Sequence, residues 1–136
     1  MILVDTSVLI GYLKGSRGKT YDLLDEIIDR EIPFGINYYI YQELLQGAKD
    51  ETEYSRLQEY LGSLPFYHLK DGKLSFEKAA RMYFICRRRG ITVRSSIELL
   101  IAETAIENDL YLLHNDTDYI DIAGIFTELK LYSGTS

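Results

Sequence analysis

Between Ser95 and Asp118 the chain runs SSIELLIAETAIENDLYLLHNDTD, a helix, a short apolar strand and an acidic loop in immediate succession. Ser95 is an N-cap type, and Glu98 stands three residues on, the spacing of a capping box. Ile97, Leu100, Ile101, Thr104 and Ala105 recur at helical spacing. Asn108 and Asp109 are poor helix formers and close the helix. Leu110 to Leu113 is an apolar run of strand length that stops abruptly at Asn115, Asp116, Thr117 and Asp118. A buried strand with acids at its carboxyl end is how α/β proteins build a site. A chain organised around such a unit needs further short strands beside it and helices to cover them.

The rest of the sequence supplies both. Ile2, Leu3 and Val4 fit a buried strand, followed at once by Asp5, Thr6 and Ser7, all N-cap types. Val8, Leu9, Tyr12 and Leu13 fit a short helix, and Gly18 to Arg30 a second. A very short strand is expected near Gly35 and Ile36, then a helix capped by Asn37 and stopped at Gly47. Asp50 to Leu61 reads as an amphipathic helix, Phe66 to Leu69 as a strand, and Leu74 to Arg89 as a long helix ended by Gly90. Tyr119 to Ile125 is an unclassified short segment. Glu128 to Tyr132 is a last strand, and 133–136 a frayed tail. Strands alternating with helices predict an α/β fold with a mostly parallel, helix-covered sheet, in a single domain over 1–132.

Composition narrows the function classes. The single cysteine, Cys86, rules out an intramolecular disulfide, which suits a reducing cytoplasm. No leader pattern opens the chain and no apolar run is long enough to span a bilayer, so a cytoplasmic protein without a membrane partner is expected. A net charge of −6 argues against a general nucleic-acid binder. It leaves room for a nuclease whose acids are gathered around cations, because bound ions reverse the local field. The twelve tyrosines, several near 38–41 and 54–60, suit either a wet partner surface or the core.

Asp5 and Asp116 fall at the carboxyl ends of two expected strands, and Glu98 begins the helix before the second. Those three converge. Glu43 and Asp118 join with less force, since Glu43 also reads as an exposed helix glutamate and Asp5 as a plain N-cap. Like charges about 5 Å apart repel by about 3 kcal/mol at an effective dielectric near 20, so such a cluster needs cations or raised pKa values. Oxygen ligands without Cys or His point to Mg²⁺ or Mn²⁺, and the chemistry implied is phosphodiester hydrolysis. Arg87, Arg88 and Arg89 either complement the helix dipole or contact phosphate, with Arg94 a further RNA-binding candidate. His68, alone in an expected strand, reads as a packed or surface residue.

ILVDTSVLI, YQELLQG, RRRGITVRSSIELLIAETAIENDL and LLHNDTDY together resemble the PIN-domain ribonucleases, and within them the VapC-type toxins of toxin–antitoxin pairs. The resemblance covers essentially the whole chain. It implies a PIN-like α/β/α sandwich, Mg²⁺-dependent endoribonuclease activity, inhibition by a cognate antitoxin and a homodimer. By position it makes Asp5, Glu43, Glu98 and Asp116 the catalytic acids and Asp5, Glu98, Asp116 and Asp118 the metal ligands. Thr6 or Ser7 would steady Asp5, and Asn115 matches a supporting polar residue. Where this chain has Glu98, the family usually has aspartate. The added methylene moves the carboxylate by roughly 1.5 Å against the tight octahedral demand of Mg²⁺, so weakened metal binding is expected. An antitoxin could set a basic side chain against the carboxylates. Two alternatives stay open: a degenerate PIN-fold module that binds RNA or antitoxin without turnover, and a small-molecule phosphohydrolase, which the lack of a GxxxxGKS/T loop disfavours.

Overall fold

The computed structural model describes residues 1–134. Four strands and seven helices follow in the order β1 (Ile2–Val4), α1 (Thr6–Leu13), α2 (Lys19–Asp29), β2 (Phe34–Gly35), α3 (Tyr38–Gln46), α4 (Glu51–Gly62), α5 (Lys73–Arg88), α6 (Ser96–Glu107), β3 (Tyr111–Leu113), α7 (Thr117–Ile125) and β4 (Lys130–Leu131). The strands form one sheet in the order β2-β1-β3-β4. Every pairing in it is parallel, with Leu3 opposite Gly35 on one side and Leu112 on the other. Helices cover the sheet as an α/β/α sandwich.

Local chemistry explains the helix starts. Asp5, Asn37, Asp50 and Ser95 each accept a backbone N–H from the first turn that follows them, the N-cap role their residue types favour. Gly90 follows the end of α5 with φ +76°, where a side chain would be strained. The two central strands bury Ile2, Leu3, Val4, Leu112 and Leu113, and α6 adds Leu99, Ile101, Ala102 and Ala105 to the same apolar cluster.

Three expectations are corrected. Phe66 to Leu69 is not a strand: it contributes one parallel bridge, Ile36 to Phe66. Ile36 donates to the Pro65 carbonyl at 3.0 Å and accepts from the Tyr67 N–H at 2.8 Å, and the bridge stays isolated. Pro65 comes this close because Gly35 lacks a side chain; a Cβ there would lie 2.3 Å from the Pro65 oxygen. Tyr119 to Ile125 belongs to a full helix, begun by Asp116, whose carboxylate accepts the Asp118 N–H. The last strand shortens to Lys130–Leu131. Of the expected tail, Thr135 and Ser136 lie outside the described residues.

Strand order places the site. The chain leaves β1 toward β2 and leaves β3 toward β4, in opposite directions across the sheet. The carboxyl ends of β1 and β3 therefore flank a topological switch point, where α/β sheets bind ligands. The Asp5 N–H donates to the Leu113 carbonyl at 2.9 Å, which holds the two strand ends together.

Candidate metal-dependent active site

Asp5, Thr6, Ser7, Glu43, Glu98 and Asp116 line one cavity of about 250 Å³ at this switch point, with Ser95 and Tyr119 on its walls. Four helices and two strand ends meet there. Asp5 caps α1, Glu43 projects from α3, Glu98 stands in the first turn of α6, and Asp116 caps α7.

Asp5 is buried and held through both oxygens. Oδ2 accepts the Ser7 hydroxyl at 2.8 Å and the Ser7 N–H at 3.3 Å. Oδ1 accepts the Tyr119 hydroxyl at 3.0 Å. Ser7 is thus the residue that steadies Asp5. Thr6 has a different partner, donating its hydroxyl to Glu43 Oε1 at 3.0 Å. That bond turns Glu43 toward α1 and away from the plain solvent-facing role its helical position also allowed.

Glu98, Asp116 and Asp118 form the tightest acid group: one carboxylate oxygen from each lies within 4.8 Å of the others. Asp116 and Asp118 are tied by the helix start, with the Asp118 N–H on Asp116 Oδ1 at 2.9 Å. Burial pushes the Glu98 carboxyl up to about 8, reinforced by its contact with Asp118 and by the charges of Asp116 and Asp118. Burial alone would raise Asp118 as well, but the Glu98 proton and the Arg94 donors hold it below the usual range. The capping box expected of Glu98 does not form, because this carboxyl is turned to the two aspartates and not back to Ser95, whose hydroxyl accepts the Ile97 N–H.

Arg94 is the cation at this group. It ion-pairs with Asp116 through a terminal guanidinium nitrogen and with Asp118 through Nε at 3.3 Å. Its backbone N–H also donates to Asp118, at 3.2 Å. Arg87 and Arg88, at the end of α5, lie over the rings of Tyr83 and Phe84, and Arg89 is that helix's C-cap. Asn115 points elsewhere: its amide donates to the Tyr21 hydroxyl at 3.3 Å. His68 packs against Tyr38 with the rings tilted and their centres 4.7 Å apart.

Two site neighbours escape a linear reading. Tyr119 is fully buried, and its hydroxyl meets Asp5 across 114 positions of sequence. His114 accepts the Asp116 N–H on Nδ1 at 3.1 Å, and burial lowers its pKa, so a neutral ring fixes the turn that carries Asp116. The only hint of either was proximity to the acidic loop.

The donor set suits a divalent cation. Glu98 Oε2 is buried without a hydrogen-bond partner, a costly state for a polar atom unless an ion or a proton completes it. Three carboxylates with no sulfur or imidazole ligand among them match a hard ion of the Mg²⁺ or Mn²⁺ kind. Glu98, Asp116 and Asp118 could hold it, with Asp5 on the same cavity wall.

Comparison with known proteins agrees with this geometry. The PIN domain family matches residues 2–125. The chain belongs to the PIN-domain family. Among curated relatives of this PIN chain, VapC ribonuclease Mb1587 of Mycobacterium bovis is 32% identical over 134 residues, covering 98% of each chain. Ribonuclease VapC11 of Mycobacterium tuberculosis matches to the same extent, so the likeness is to the VapC group within the PIN proteins. Solved structures share the PIN fold at lower identity. A VapBC2 complex from Rickettsia felis bound to a promoter DNA fragment aligns with a TM-score of 0.72 and 20% identity, over 97% of this chain and 98% of that one. FitAcB from Neisseria gonorrhoeae aligns at 0.69 and 17%, over 98% and 97%.

Proposed function

We propose that this PIN-domain protein is the endoribonuclease toxin of a toxin–antitoxin pair, hydrolysing RNA phosphodiester bonds with Mg²⁺ or Mn²⁺. The observation that carries the reading is the convergence of Asp5, Glu43, Glu98 and Asp116 on one cavity at the switch point of the sheet. VapC relatives carry the ribonuclease name, and the aligned structures include VapBC2, FitAcB and a toxin–antitoxin complex from Klebsiella pneumoniae.

Each acid has its own task in this reading. Asp5 is presented in one orientation by Ser7 and Tyr119, so its carboxylate needs little reorganisation when substrate arrives. Thr6 holds Glu43 at the cavity rim, where it can accept a proton from an attacking water. Glu98, Asp116 and Asp118 would hold the ion, which supplies positive charge to polarise the phosphodiester and the water. Arg87, Arg88, Arg89 and Arg94 are the groups we expect to meet RNA phosphates, since the remainder of the chain is acidic. A cognate antitoxin is the expected inhibitor, through a basic side chain set on the carboxylates, and a homodimer is the expected assembly. No helix among the described residues is long and apolar enough to cross a membrane.

The test is cleavage of a structured RNA pool by antitoxin-free protein with Mg²⁺, with Mn²⁺ and with EDTA, alongside Asp5→Ala. Metal-dependent cleavage that Asp5→Ala abolishes is the expected result. Cleavage that survives Asp5→Ala, or that ignores EDTA, would overturn the reading. RNA or antitoxin binding without any turnover would establish a non-cleaving module in its place.

A further inference from the structure

We propose that Arg94 is the chain's own counter-cation for the Glu98, Asp116 and Asp118 carboxylates, and that a divalent ion binds there only by displacing it. The inference rests on the metal-site reading above. Arg94 spans the outer side of the group. Its side chain is 70% exposed, while the Asp116 and Asp118 side chains beneath it are 13% and 11% exposed. The guanidinium therefore stands between these carboxylates and solvent and occupies one oxygen of each, Asp116 Oδ2 and Asp118 Oδ2.

The geometry also makes this cap removable. The fork of Arg94 engages two of the three acids, and Glu98 Oε2 is left buried with no partner. One positive charge on two carboxylates leaves the group incompletely neutralised. A divalent ion carries twice the charge and reaches all three carboxylates, so exchange is favourable once ions are present at sufficient concentration. The backbone supports the motion. The Arg94 N–H stays on Asp118, and Ser95 caps α6 next to it, so the loop remains anchored while the long side chain rotates outward. The displaced guanidinium then lies beside the loaded site with its donors free, in position for an RNA phosphate, which its planar fork matches well.

The experiment is Mn²⁺ binding to the full chain, stripped with EDTA and free of RNA, measured by calorimetry. Arg94→Ala and Arg94→Gln are expected to bind Mn²⁺ about fivefold more tightly than the parent, the scale of removing one exposed ion-paired competitor. Arg94→Lys keeps the charge but loses the fork, and is expected to fall between the parent and these two variants. Thermal unfolding gives an independent reading. Without metal, Arg94→Ala melts below the parent because its acids lose their cation, and Mn²⁺ raises its midpoint by more than it raises the parent's. If the parent binds Mn²⁺ and the Ala and Gln variants bind it equally or more weakly, Arg94 is not a competitor and this inference fails while the metal-site reading stands. If neither the parent nor any variant binds Mn²⁺, both fail together.

Discussion

At Glu98 a single methylene sets the state of the site. Its longer arm brings the carboxyl against Asp118 and away from water, and burial with the two aspartates pushes it up to about 8. At neutral pH it therefore keeps a proton that an arriving cation must expel. Glu98→Asp shortens the arm by roughly 1.5 Å, the length of one C–C bond. It withdraws the carboxyl from Asp118 and restores a residue that ionises readily. We expect this variant to bind Mg²⁺ more tightly than the parent in calorimetry at pH 7. Equal affinity would mean that the glutamate already meets the ion without strain. Glu98 was legible as a site acid from its place at the start of the helix before the strand that ends at Asp116, and as a capping-box residue from its spacing to Ser95. Its direction was not, because capping geometry and site geometry compete for the same carboxyl, and only the placement of Asp118 decides between them.

Whole helices position these acids, and α3 shows how. Asn37 accepts the Ile40 N–H at 2.9 Å and donates its amide to Thr104 on α6 at 3.2 Å. The same side chain thus starts the helix that carries Glu43 and pins it to the helix that carries Glu98. Asn37→Ala should cost about 1–2 kcal/mol for the cap and about 1 kcal/mol more for the buried hydrogen bond to Thr104. Asn37→Asp retains the cap and loses only the amide donor. Chemical denaturation of the two variants should separate these contributions, and RNA cleavage should fall in both, because α3 loosens against α6. Equal stability of Asn37→Ala and the parent would show that neither bond matters. Caps such as Asn37 and Ser95 could be read from sequence because a cap depends on its own first turn. Asp5 and Asp116 were legible as strand-end acids because the apolar runs Ile2 to Val4 and Leu110 to Leu113 stop just before them. The segment from Phe66 to Leu69 misled because a strand exists only where a partner has free backbone, and Ile36 offers a single bridge. Helix α7 is hidden because Asn115, Asp116, Thr117 and Asp118 look like a loop, and only the fold shows Asp116 capping it. Tyr119 and Arg94 needed the sheet order, since their partners lie far along the chain or across a loop.

The fold as a whole carries a second acid group, the buried Glu103 and the half-buried Glu107, on α6 one to three turns beyond Glu98. Glu103 is 3% exposed, and burial followed by its contact with Glu107 pushes it up to about 8. Glu107 is driven the other way. Burial would raise it, but the Glu103 proton, the Lys70 N–H and the Ser75 hydroxyl outweigh that and hold it below the usual range. The Lys70 N–H and Ser75 hydroxyl lie 2.7 and 3.0 Å from Glu107 Oε1, so this pair fastens the loop before α5, and α5 itself, to α6. The folded protein binds a proton at Glu103 that the unfolded chain gives up near 4.5. Its contribution to stability is therefore complete below pH 4.5, falls as pH rises toward 8, and is lost above that. The raised pKa of Glu98 acts in the same direction, so the slope of the parent alone would not identify its source. Glu103→Gln does, because an amide N–H can replace the shared proton and cannot titrate. Melting midpoints taken in EDTA from pH 5 to 9 should fall less steeply for Glu103→Gln than for the parent, with the variant the more stable of the two at pH 9. Parallel curves would mean that Glu103 is already ionised at neutral pH, with a cation from the Lys78 side of the cavity around it taking the place of the proton.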